Sequence, residues 1–153
     1  MIENLFRWFG HTSLGLFMRD STWGFATVET LHLLGLAALG GTVLVASLSA
    51  AGLLLRGVDP ARVTTGVRDV GLWALGLLAI SGVLLVSSKP VRYYLDNTFR
   101  TKMLLLVAAI AVSVTVARRL ARSAPTPLTR TLAVGGLLLW LGVGVAGRII
   151  GFL

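Results

Sequence analysis

The chain has 153 residues, 56% of them hydrophobic and 13% charged, where a soluble domain averages about 25% charged. That length holds one small bundle and no second domain, and with no cysteine the chain can form no disulfide, thiolate metal site, iron–sulfur cluster or thiol nucleophile. The formal charge of +8 does not mark a nucleic-acid surface, because the basic residues sit in the gaps between apolar runs, as topology-setting loop charges do.

In the first 20 residues, Ile2, Leu5, Phe6 and Phe9 recur at helical spacing, as do Leu14, Phe17 and Met18. Glu3, Asn4, Arg7, Arg19 and Asp20 supply the polar positions, so this stretch predicts an amphipathic helix lying in the membrane interface with Trp8 as an anchor. The same charges interrupt it too often for a secretory signal. Ser21 is placed to cap the helix that follows.

The first predicted span runs from about Trp23 to Leu55 and contains Leu33–Leu55, 23 residues without a charge. Roughly 18 such residues suffice to cross a hydrocarbon core as a helix. Trp23 is a second interface anchor. The second span is Val70 to Ser88, between Asp69 and Lys89. Tyr93 and Tyr94 in the next loop are further anchors. The third span is Phe99 to Ala117, with Lys102 in its first turn, and the fourth is Leu128 to Gly147. Pro60, Pro90, Pro125 and Pro127 all fall in the connections, as uninterrupted helices require. Ala37 and Gly41, Gly142 and Ala146, and Gly147 and Gly151 are each four apart, a spacing that lets helices approach closely. The fold class is therefore all-α: a polytopic membrane four-helix bundle preceded by an interfacial helix.

Four spans put the N-terminus, second loop and C-terminus on one side, with Arg7, Arg19, Lys89, Arg92, Arg100, Lys102 and Arg148. The first and third loops hold Arg56, Arg62, Arg68, Arg118, Arg119, Arg122 and Arg130. The count is even. The dense Arg118–Arg122 cluster directly after a span, with four of the six acids on the other side, places the first and third loops in the cytoplasm.

Glu29 and His32 are the ionisable pair at the mouth of the first span, three residues apart on neighbouring helical positions. Topology brings the start of the third span to the same side. Glu29 is therefore expected to form a structural ion pair with Lys102, or failing that with Arg92, since a charge at membrane depth needs a partner. His32 is the candidate cofactor residue: a neutral imidazole in a bundle can ligate a haem or chlorin, with Glu29 as the partner that orients it. His11 is the only other histidine. A Glu-x-x-His pair also serves di-iron bundles, but the other spans supply no further carboxylates. No Gly-x-Ser-x-Gly, His-Glu-x-x-His or phosphate-binding glycine loop is present, and the spans are too apolar for a transport path. No metal site is expected. The residues thus leave two readings open: a non-enzymatic accessory or scaffolding subunit packing against partner membrane helices or a second copy, or a haem- or chlorin-binding redox or pigment protein with His32 as single axial ligand.

Two motifs occur in order: Ser21-x-Trp23 followed by Glu29-x-x-His32-x-Leu34-Gly35, and Pro90-x-x-Tyr93-Tyr94-x-x-Asn97-x-Phe99-x-x-Lys102. Together, across about residues 13 to 120, they resemble a family of small, uncharacterised bacterial inner-membrane proteins with a four-helix core. That family is distantly similar to the membrane domain of copper-resistance protein D. The resemblance implies architecture and an inner-membrane location, and it supplies no activity. Members of the family carry another histidine near the end of the third span. Here that place reads Thr115-Val116-Ala117-Arg118, so no two-histidine haem or copper site is implied.

Overall fold

The computed structural model describes residues 20–88 and 90–152. Trp8, His11, Lys89 and the expected interfacial helix up to residue 19 lie outside them. The described elements are α1 (Thr22–Ala50), α2 (Pro60–Ser88), the short α3 (Pro90–Leu95), α4 (Asn97–Leu120) and α5 (Pro127–Phe152). No strand occurs among the described residues. Helices α1, α2, α4 and α5 are each long and apolar enough to cross a membrane. The chain is an all-α, multi-pass membrane protein.

Local sequence chemistry sets each helix start. Ser21 caps α1, accepting from the Gly24 N–H at 3.0 Å. Asp59 does the same for α2 through the Ala61 N–H at 3.0 Å, and Asp96 for α4 through the Thr98 N–H at 2.8 Å. Thr126 receives the Thr129 N–H at 3.2 Å and opens α5. Each cap satisfies a backbone donor that the helix itself cannot. Pro60, Pro90 and Pro127 stand at the first position of their helices, where a missing N–H costs nothing.

The boundaries differ from the hydropathy reading: α4 runs on to Leu120 and α5 to Phe152, past the expected Ala117 and Gly147, and two further differences have a local cause. Helix α1 stops at Ala50, not Leu55. Gly52 takes a left-handed φ of +77°, its N–H bonds the Ser49 carbonyl and the Leu53 N–H bonds the Leu48 carbonyl, both at 2.9 Å. That is a Schellman termination, and it outweighs the apolar character of Leu53–Leu55. Helix α2 begins at Pro60, ten residues before Val70, because an Asp-Pro start fixes the helix whether or not lipid surrounds it.

Helix α1 packs along α2, and α4 along α5; α1 also lies against α5, whereas α2 and α4 meet at few residues. The α1–α2 seam follows a regular register. His32 meets Ser81, Gly35 receives Leu78, and Thr42 packs on Gly71. Leu39 and Ala74, both buried, fall in the same register. Positions 32, 35, 39 and 42 alternate steps of three and four, the antiparallel heptad pattern of knobs and holes. Ser49 and Thr64 continue it one heptad further, and their buried hydroxyls have no hydrogen-bond partner. On the other hairpin, α5 glycines are the holes: a Cβ on Gly136 would lie 3.1 Å from Val112, and one on Gly142 3.5 Å from Leu105. Trp140, in the middle of α5, satisfies its indole N–H on the Ser113 hydroxyl at 3.0 Å, as a polar group in lipid must. At the end carrying the first and third loops, Ala50, Val116, Leu120 and Ala133 close the core.

Candidate functional site

His32 and Lys102, the two half-buried ionisable side chains of the spans, lie at the opposite end. His32 lies ten residues into α1, about 15 Å along the helix, and half-buried. Its Nδ1 is 2.8 Å from the Ser81 hydroxyl of α2. That hydroxyl is 2.6 Å from the Leu77 carbonyl. A serine has one proton to give, and the shorter contact assigns it to Leu77. His32 therefore donates from Nδ1 to Ser81, and its Nε2 keeps a lone pair. The ring rests on Gly82, where a Cβ would stand 3.5 Å from Cε1.

Lys102 has the corresponding position on α4. Its stem crosses to α5, and a Cβ on Gly147 would lie 3.3 Å from both Cε and Nζ. Its ammonium is within electrostatic range of His32. Both ionisable side chains thus sit on a glycine of the neighbouring helix, and all four spans contribute to one level of the bundle. Tyr93 of α3 stands at the rim, its ring 5.7 Å from Phe99 with planes tilted by 51°. Burial pushes its hydroxyl above the usual tyrosine range; Arg92 opposes the shift, and Glu29 and Asp96 add to it.

The expected ion pair is not formed. Glu29 is exposed and pairs within 4.0 Å with neither Lys102 nor Arg92, itself exposed. The cause is geometric. Three residues turn a helix by about 300°, so with His32 facing α2, Glu29 points some 60° away, while the Lys102 stem is drawn to Gly147. Nor does Glu29 orient His32, whose partner is Ser81. Of the interface anchors, Trp23 is 85% exposed at the start of α1, Tyr93 packs on Phe99, and the Tyr94 side chain, like Trp8, lies outside what is described. The sequence reading named Gly147 only as a close-approach position and gave neither Ser81 nor Gly82 as a partner of His32. The signal for Ser81 was hidden by the span bounds, because hydropathy put the start of the second span at Val70 and not at Pro60.

Four apolar helices, each long enough to cross a membrane and packed side by side, define a multi-pass membrane bundle. The chain belongs to a family of unknown function, DUF6644, whose family model matches residues 5–153. No curated protein matches the chain, and no solved structure does.

Proposed function

We propose that the chain is a non-enzymatic accessory subunit of a bacterial inner membrane, packing against the helices of a larger complex. The observation that carries this reading is a small-residue face that the chain itself does not use. Gly142 and Ala146 of α5 are covered from within, the first by Leu105 and the second by burial. Ala37 and Gly41 of α1 are exposed, and a Cβ on Gly40 or Gly41 would meet nothing within 4 Å. Gly76, on the outer side of α2 away from α1, is likewise exposed and unobstructed. In lipid, close backbone packing at such small-residue steps is what holds helices together. The polar groups His32, Ser81, Ser113 and Trp140 are meanwhile engaged in interhelical hydrogen bonds. The resemblance to small bacterial inner-membrane proteins supports the location. Purification in mild detergent tests the reading: a partner chain should co-purify with the wild type and be lost from Gly41→Ile. Recovery of the wild type as a lone monomer would sink it.

A second reading is favoured by the tautomer of His32. An axial histidine typically donates its other ring N–H to a fixed acceptor, and Ser81 occupies that acceptor role here. The donor set fits one axial haem or chlorin ligand and no more: among the described residues no group of three or more His, Asp or Glu could hold a metal ion. The distant likeness to the copper-resistance protein D membrane domain points the same way only in architecture. A visible absorption spectrum decides it. A band in the wild type that vanishes in His32→Ala supports ligation; colourless protein from cells making haem and chlorins ends it.

A further inference from the structure

We infer that Lys102, seated on Gly147, anchors a binding site for one phosphate anion between α4 and α5. Lys102 lies five residues past Asn97, so its Cα is about 7.5 Å along α4. A lysine at that depth ordinarily extends its stem toward the headgroups. Here the stem is fixed instead, because Cε and Nζ both lie against the Gly147 backbone. An ammonium held at this depth needs an opposite charge. The described acids at this end do not supply one: Glu29 makes no ion pair within 4.0 Å, and Asp96 accepts the Thr98 N–H as the cap of α4. His32, within electrostatic range of Lys102, has its Nδ1 proton already committed to Ser81. The site therefore favours an external anion. A compact ammonium binds phosphate as a point charge without demanding a planar fork. The phosphate comes from an anionic lipid headgroup or from free inorganic phosphate, and a Cβ at Gly147 would press on the ammonium from 3.3 Å.

Native mass spectrometry on the detergent-purified chain, titrated with phosphatidylglycerol and with phosphatidylcholine, reads the first source. Thermal unfolding with and without inorganic phosphate reads the second. The wild type is expected to hold one phosphatidylglycerol per chain about fivefold more tightly than phosphatidylcholine, the order expected of one basic residue at an anionic surface. Lys102→Gln should abolish that preference, and Gly147→Ala should weaken it although it leaves the charge unchanged. Arg62→Gln, at the opposite end, should keep it. A phosphate-dependent rise in unfolding temperature that disappears in Lys102→Gln, without lipid preference, assigns the site to the free anion. The inference is overturned if the wild type shows neither preference nor phosphate response, or if Lys102→Gln and Gly147→Ala both behave as wild type.

Discussion

The Ser81 hydroxyl is engaged from both sides, accepting from His32 Nδ1 and donating to the Leu77 carbonyl. Ser81→Ala leaves the Leu77 carbonyl with its helical bond but strands the histidine N–H between helices. Interhelical hydrogen bonds in membrane proteins contribute about 0.6 kcal/mol and at most about 1.7, and a stranded donor adds to the loss. The expected destabilisation is about 1–2 kcal/mol, measured by reversible unfolding in mixed micelles; no loss would mean that the bond contributes nothing. Tyr93 makes a prediction of opposite character. Its hydroxyl titrates above 10.0 in the folded protein, chiefly because of burial, so the fold favours the neutral phenol. That contribution is complete below the unfolded value and is lost as pH rises through the folded one. Thermal stability should fall above about pH 10, and Tyr93→Phe should flatten that part of the profile. An unchanged slope in Tyr93→Phe would assign the fall to other groups.

Helix packing in both hairpins depends on glycine as the receiving surface, and the effect of substitution should follow the contact. At Gly136 a Cβ would stand 3.1 Å from Val112 Cγ1, and a β-branched valine has little freedom to move aside. Gly136→Ala is expected to destabilise by about 1–2 kcal/mol. At Gly40 a Cβ meets nothing, so Gly40→Ala should be neutral or stabilise by up to about 1 kcal/mol. Equal effects in an unfolding titration would refute the hole-by-hole account. The same scale shows what the sequence made legible. Long uncharged runs such as Leu33–Leu55 disclosed four helices, because lipid thickness fixes a minimum length. Hydropathy could not place their ends: Leu53–Leu55 are apolar beyond a glycine that stops α1, and Arg62 and Arg68 are charged within a helix that Asp59 and Pro60 start. Ser21 was legible as a cap because capping is local. The partners of His32 and Lys102 were not, because they depend on the rotation of each helix about its axis. A carboxylate three residues away looked like the partner, and the structure supplies a serine and a glycine from other helices.

For the molecule as a whole, the basic residues divide evenly between its ends, seven on each, and only their distribution differs. The end with the first and third loops holds Arg56, Arg62, Arg68, Arg118, Arg119, Arg122 and Arg130 against Asp59 and Asp69. The expectation that this end is cytoplasmic rests on the dense Arg118–Arg122 cluster directly after a span. Because the chain has no cysteine, one introduced thiol reports its own side. Ser123→Cys, exposed between α4 and α5, should react with an impermeant maleimide in inside-out vesicles and not in intact spheroplasts, while Thr22→Cys should show the reverse. The opposite pattern would invert the topology.

The two seams, α1 on α2 and α4 on α5, each lie within one continuous half of the chain, and the halves are joined by α3. Each half can therefore complete its glycine-lined pairing before the other half is made, leaving the contact of α1 with α5 to bring them together. Breaking the peptide chain at residue 89 should then cost the molecule little. Separately encoded halves, 1–89 and 90–153, should recombine in the membrane, and an affinity tag on one should recover the other in equal amount. If the halves failed to recombine although each was stably inserted, the α3 connection would be part of the assembled core and more than a tether between finished hairpins.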